Sequence, residues 1–329
     1  MRSSPLLYAL LVSVFLSALI IAPPRSRAIT YGFVDSANAF SHTGAFIARS
    51  NATGEIFPFC SGSLITPNVF LTAAHCISFF ENELEPAGFT AFVSFDGSMG
   101  FGDLTSNQTT LLEISDLLIN PRFTHRQNDP GDIGVVILES NVVGVTPATL
   151  PECGLLNNLA GRNGLKTAVF TNVGYGVQNR VVGGGVPFFQ DLNPIPRMFS
   201  FSSFNALNKG YLRLSQNPAT GNGGACFGDS GGPTFLTVDN EEIQVAIIIT
   251  GDVVCRSTNV VYRLDTTSAQ NFFAFVNEEF GTQIPIECSV QRWPSVIPID
   301  SSRESKSKGL PNISLHPAAR ASFSTSWVR

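Results

Sequence analysis

From residue 29 to about residue 265 the chain breaks into many short runs of strand-forming residues, a texture that confines it to an all-β body. Runs at 45–48, 63–65, 91–95, 133–138, 168–173 and 245–250 are examples. Clusters of Gly, Pro, Asn and Asp punctuate them, as in a sandwich or a barrel. One long segment has a helical period instead. Phe272, Val276 and Phe280 fall four apart, with Phe275 beside them, so the spacing predicts one apolar-faced helix over 266–280. From residue 289 onward Ser, Arg, Lys and Pro dominate, apolar periodicity ends, and a disordered tail is expected that holds both tryptophans, Trp293 and Trp327. The 329 residues suffice for one large domain or two small ones, and a 43% hydrophobic share can fill a core. A net charge of −5 gives nucleic acid no electrostatic footing as a partner.

The first 28 residues read as a secretory signal: Arg2 at the start, a nearly continuous apolar run over 6–22, and small residues Ser26 and Ala28 at the positions a signal peptidase reads. The alternative is a membrane anchor, since the run approaches the minimum spanning length of ~17 residues. Pro23-Pro24 and the cleavage pattern favour the signal, and no other segment is long and apolar enough to span. Export makes the six cysteines disulfide candidates, with fifteen possible connectivities from number alone. Sequons at Asn51, Asn107 and Asn312 are glycosylation candidates.

Three short motifs carry chemistry. Leu71-Thr72-Ala73-Ala74-His75-Cys76 comes first, Asp132-Ile133-Gly134-Val135-Val136-Ile137-Leu138 second, and Gly228-Asp229-Ser230-Gly231-Gly232-Pro233 last. Alone, Gly-Asp-Ser-Gly is a common turn, Ala-His-Cys fits a core histidine, and Asp132 could be a turn residue before a strand. Two decoys exist: Asp129 lies near Asp132, and His125 sits in a polar stretch typical of loops. Taken in the order His, Asp, Ser, the motifs resemble the trypsin/chymotrypsin-like serine proteases. Subtilisin-like and α/β-hydrolase enzymes order the same trio differently.

That resemblance, which spans about residues 29–280, implies two six-stranded antiparallel β-barrels with a C-terminal helix, the first barrel over about 29–150 and the second over about 151–288. It implies a Ser230 nucleophile, a His75 base and an Asp132 carboxylate that orients the base, with an oxyanion hole from the N–H groups of Gly228 and Ser230. It implies the disulfides Cys60–Cys76 and Cys226–Cys255, which leaves Cys153 with Cys288. Gly224 would form the base of the primary specificity pocket, with Gly251 and Val260 on its walls. The family's basic-specific members carry an aspartate where this chain has Gly224, so an uncharged P1 side chain of small to medium size is expected. Activation would free Ile29 to pair with Asp229. Arg180-Val181-Val182-Gly183-Gly184 looks like an activation sequence but follows both His75 and Asp132. Protein or peptide substrates, and possible protein inhibitors, would be the partners of a secreted monomer that needs no metal or organic cofactor. Ile249-Thr250-Gly251 departs from the family's Ser-Trp-Gly. The departure leaves a second reading open, a catalytically weak protease homologue acting as a secreted binding or regulatory protein.

Overall fold

The structure, a computed structural model, describes residues 29–99, 109–126, 129–177, 179–181, 188–190 and 194–289. The expected signal peptide, the sequons Asn107 and Asn312, and all but the first residue of the expected tail lie outside those residues. In chain order the strands are β1 (Phe33–Val34), β2 (Thr43–Ser50), β3 (Ile56–Thr66), β4 (Val69–Thr72), β5 (Phe89–Ser94), β6 (Ser98–Met99), β7 (Ile114–Ile119) and β8 (Gly134–Leu138). Then come β9 (Val169–Gly174), β10 (Asn179–Val181), β11 (Phe188–Gln190), β12 (Ile195–Pro196), β13 (Met198–Leu207), β14 (Tyr211–Ser215), β15 (Pro233–Val238), β16 (Glu241–Gly251) and β17 (Thr258–Arg263). Three α-helices are described: α1 (Ala74–Phe79), α2 (Leu155–Gly161) and α3 (Thr267–Phe280).

The strands form two antiparallel barrels. The first runs β5-β2-β3-β4-β8-β7, and a bridge between Val93 and Leu112 draws its two edges together. The second runs β13-β14-β17-β16-β15-β9 and closes where β9 pairs with β13, with β1 added alongside β13. Closure removes the free edges that would otherwise template aggregation. Side-chain alternation sets the faces: β14 buries Leu212 and Leu214 and turns Arg213 outward. Phe46, Leu64, Phe70, Val93 and Val136 fill the first core, and Phe170, Leu212, Leu236, Val245 and Val261 the second.

Helix α3 begins where the Thr266 hydroxyl accepts the Ala269 N–H at 3.2 Å, and it ends at Gly281 in the left-handed region. Its buried residues Phe272, Phe273 and Val276 join the same cluster as the first core. The chain after the helix folds back, because Asn277 binds both the N–H and the carbonyl of Ile284 at 2.8 Å.

A buried ion pair ties the barrels together. Arg197, just before β13, donates from Nε to Asp35 Oδ2 at 2.8 Å, and both side chains are essentially inaccessible. The same guanidinium reaches the carbonyls of Thr43 in β2 and Phe95 after β5, each at 3.2 Å. Such a pair is costly to bury unless its remaining donors are satisfied, and here they are spread over both barrels.

Candidate active site

Strands β4 and β8 pair antiparallel, with Thr72 opposite Gly134. Their adjacent ends therefore hold His75, in the first turn of α1, beside Asp132, just before β8. His75 Nδ1 lies 2.8 Å from Asp132 Oδ2, and the His75 backbone N–H donates to Asp132 Oδ1 at 3.0 Å. Both carboxylate oxygens are thus committed to one residue, which fixes the imidazole plane and places the Nδ1 proton toward Asp132. Asp132 is 6% exposed. Burial resists charging of His75, but the facing carboxylate and its hydrogen bond outweigh that, and the pKa is raised above the ordinary histidine value.

The serine turn comes from the second barrel and is fastened to the first. Ser61 in β3 donates its N–H to the Ser230 carbonyl at 2.8 Å, and Cys76 Sγ lies 3.6 Å from that same carbonyl. Gly231 has a φ of 81°, and a β-carbon there would stand 2.1 Å from Thr72 Oγ1, so only glycine allows this approach. On the other side the Gly231 N–H binds the Ile248 carbonyl at 2.7 Å. His75, Asp132 and the Ser230 turn therefore meet where the barrels adjoin. Among the described residues, the N–H groups of Gly228 and Ser230 donate to no protein acceptor.

The Ser61 hydroxyl is a contributor that the motifs do not reveal. It donates to the Gly228 carbonyl at 2.9 Å and accepts the Tyr175 N–H at 3.0 Å. Tyr175 in turn hydrogen-bonds Arg197 through its phenol oxygen at 3.2 Å, linking the turn to the buried ion pair. The sequence signal is only the serine after Cys60, which has no separate meaning without the fold.

Asp229 is fully buried, and its carboxylate accepts the N–H groups of Gly176 and Cys226, each at 2.8 Å. Burial pushes its pKa up to about 7 against the opposing pull of these two hydrogen bonds. Among the described residues no cation pairs with it. Ile29 is 0% exposed and packs with Met198. The next residue, Thr30, is tied to Gly224, the expected pocket base, and to Cys255: its carbonyl accepts the Gly224 N–H at 3.0 Å, and its hydroxyl donates to the Cys255 carbonyl at 2.9 Å.

Gly224 is not an open floor. A β-carbon there would fall 1.9 Å from Oε1 of Gln216, whose side chain occupies that direction. Gly251 and Asn259 are cross-strand partners on β16 and β17, with Val260 next along β17. Of the decoys, Asp129 spends its carboxylate on the N–H groups of Thr124 and Gly131, and His125 is exposed on a loop. The six cysteines pair as Cys60–Cys76, Cys153–Cys288 and Cys226–Cys255. Among the described residues, Cys60, His75 and Cys76 are the cluster nearest to a metal set. Both of its sulfurs are locked in a disulfide and its Nδ1 faces Asp132, so the donors do not suit an ion. Among the described residues no helix is long and apolar enough to cross a membrane.

Residues 29–272 match the sequence profile of the trypsin family. Chymotrypsin from Phaedon cochleariae is 29% identical over 224 residues, which cover 64% of this chain and 70% of that protein. Serine protease filzig from Drosophila melanogaster is 27% identical over 214 residues, 60% of this chain and 11% of that much longer protein.

Proposed function

The chain belongs to the trypsin family, and from that premise we propose that it is a secreted serine endopeptidase that cleaves proteins or peptides through an acyl-enzyme. The observation that carries the reading is the 2.8 Å His75–Asp132 pair beside a serine turn whose Gly228 and Ser230 N–H groups have no protein acceptor among the described residues. In the reaction, His75 Nε2 takes the Ser230 hydroxyl proton as Oγ attacks the scissile carbonyl. The two free N–H groups bind the oxygen as it gains charge, a contribution worth ~3–4 kcal/mol per donor in related chemistry. His75 then protonates the departing amine, and water repeats the sequence on the acyl-enzyme. Asp132 stays ionised and holds the imidazole throughout.

Activation follows from the same site. Cleavage after Ala28 frees the Ile29 ammonium as the missing counter-charge for Asp229. Support comes from the complete burial of Ile29, the attachment of Thr30 to Gly224 and Cys255, and a carboxylate whose pKa burial raises to about 7. Asn51, exposed on the turn between β2 and β3, is the described glycosylation candidate. The protein acts as a monomer.

A fluorophosphonate probe tests the reading. The purified mature protein labels covalently, Ser230→Ala does not, and peptide hydrolysis falls by ~10⁴ or more in that variant. Wild-type hydrolysis by purified Ser230→Ala overturns the assignment and leaves the scaffold as a binding protein. N-terminal sequencing of the active form reads Ile29 first. A start well downstream removes the activation step.

A further inference from the structure

Gln216 follows β14 in a Leu-Ser-Gln-Asn-Pro stretch that carries no motif. It is 0% exposed. Its Nε2 donates to Asp252 Oδ1 at 3.0 Å and to the Thr258 carbonyl at 3.2 Å. Both partners only accept, so the amide orientation is fixed with nitrogen on that side. The Oε1 atom then faces the other way, and it is a buried acceptor without a hydrogen-bond partner. It lies 1.9 Å from where a Gly224 β-carbon would stand, and Nε2 lies 3.6 Å from the corresponding point on Gly251. The Gln216 amide therefore sits between the two glycines of the pocket, in the direction a floor side chain at residue 224 would take. Asp252 lies behind it: Oδ1 also accepts the N–H groups of Ser257 and Thr258, and Oδ2 accepts that of Arg256. The atom nearest Gly224 is thus a neutral acceptor, and the Asp252 charge lies behind the Gln216 amide, held by hydrogen bonds from Gln216, Ser257, Thr258 and Arg256.

We propose that Gln216 determines P1 specificity, its Oε1 selecting uncharged side chains that bring a hydrogen-bond donor to the pocket floor. The proposal rests on the peptidase reading above. The acceptor is already shut off from water and unpaired, so a substrate hydroxyl or amide N–H that reaches it gains a hydrogen bond, whereas an apolar side chain gains none. Lysine and arginine gain nothing comparable, because a lone amide oxygen does not offset the desolvation of a cation.

The experiment compares isosteric P1 pairs in one peptide sequence: Tyr with Phe, Gln with Met, and Thr with Val. In the mature wild-type enzyme the donor-bearing member of at least one pair has a kcat/KM higher by about tenfold or more. Gln216→Met keeps the bulk and removes the acceptor, and it abolishes that preference while fluorophosphonate labelling of Ser230 persists. Equal kcat/KM within every wild-type pair overturns the proposal. So does a preference that survives in Gln216→Met, or a variant that loses all substrates in equal proportion, which marks a packing role alone. The wild-type comparison stands even where the variant does not fold. A protein that hydrolyses peptides without donor preference sinks only this proposal, whereas one that fails to label overturns the peptidase reading and takes this with it.

Discussion

His75 is where charge and geometry meet, and in the proposed mechanism its raised pKa sets the acid limb of activity. Only the neutral imidazole can accept the Ser230 proton, so kcat/KM rises with pH with a midpoint above the ordinary value of ~6.5. Asp132→Asn removes the charge that raises the pKa, so the midpoint moves down while kcat falls by ~10⁴. A pH–rate profile of both proteins shows whether the two effects travel together. Asp229 titrates with the opposite consequence. Its folded pKa of about 7 lies above that of an unfolded aspartate, so folding binds the extra proton. In the uncut chain the associated stability is complete below the unfolded value of ~3.9 and is lost as pH climbs toward about 7. Asp229→Asn flattens that loss in the uncut chain yet cripples the cut enzyme. Urea titrations across this window, beside activity assays, measure the contrast. Ser61→Ala, by releasing the Gly228 carbonyl, lowers kcat by about tenfold with KM little changed, once rates are normalised to titrated active sites. The candidates His75, Asp132 and Ser230 were legible in the sequence because each sits in a local motif. Ser61 and Gln216 were not, because their roles arise only from neighbours far away along the chain. An aspartate at residue 224 would meet the Gln216 side chain, so room for it has to come from a shift of Gln216.

At the scale of elements, α3 was the most readable segment. Its four-residue apolar spacing gave a helix over 266–280, and the structure has Thr267–Phe280 with Thr266 as the N-cap. The apolar face was legible but its destination was not: periodicity says that Phe272 is buried, not that it packs with residues of the first barrel. Phe272→Ala leaves a cavity at that junction and costs ~3–5 kcal/mol in chemical denaturation. A loss below ~1 kcal/mol means that the helix is dispensable to the core. Strands such as β2 and β3 read less clearly, because they are buried on both faces for much of their length and do not alternate cleanly. Strand pairing itself left no mark in the sequence. The closure of the second barrel through β9 and β13 depends on register, which no single run of residues specifies.

For the whole molecule, the Asp35–Arg197 pair is the unexpected feature. Arg197 stands in an apolar stretch, Ile195-Pro196-Arg197-Met198-Phe199, where a charge inside a strand run was a signal without an address. Arg197→Met leaves the Asp35 carboxylate buried and unpaired, and equilibrium unfolding registers a loss of ~3–5 kcal/mol. Adding Asp35→Asn recovers part of it, since the stranded charge is gone. The disulfide between Cys153 and Cys288 has a consequence of another kind. It spans 135 residues of chain, and the segment over 178–193 lies within that span. The other two bridges each fall wholly on one side of that segment. A single cut there therefore divides the polypeptide without dividing the molecule. The nicked protein runs as one species on a non-reducing gel and as two fragments after reduction, and Ser230 stays covalently tethered to the half that carries His75 and Asp132.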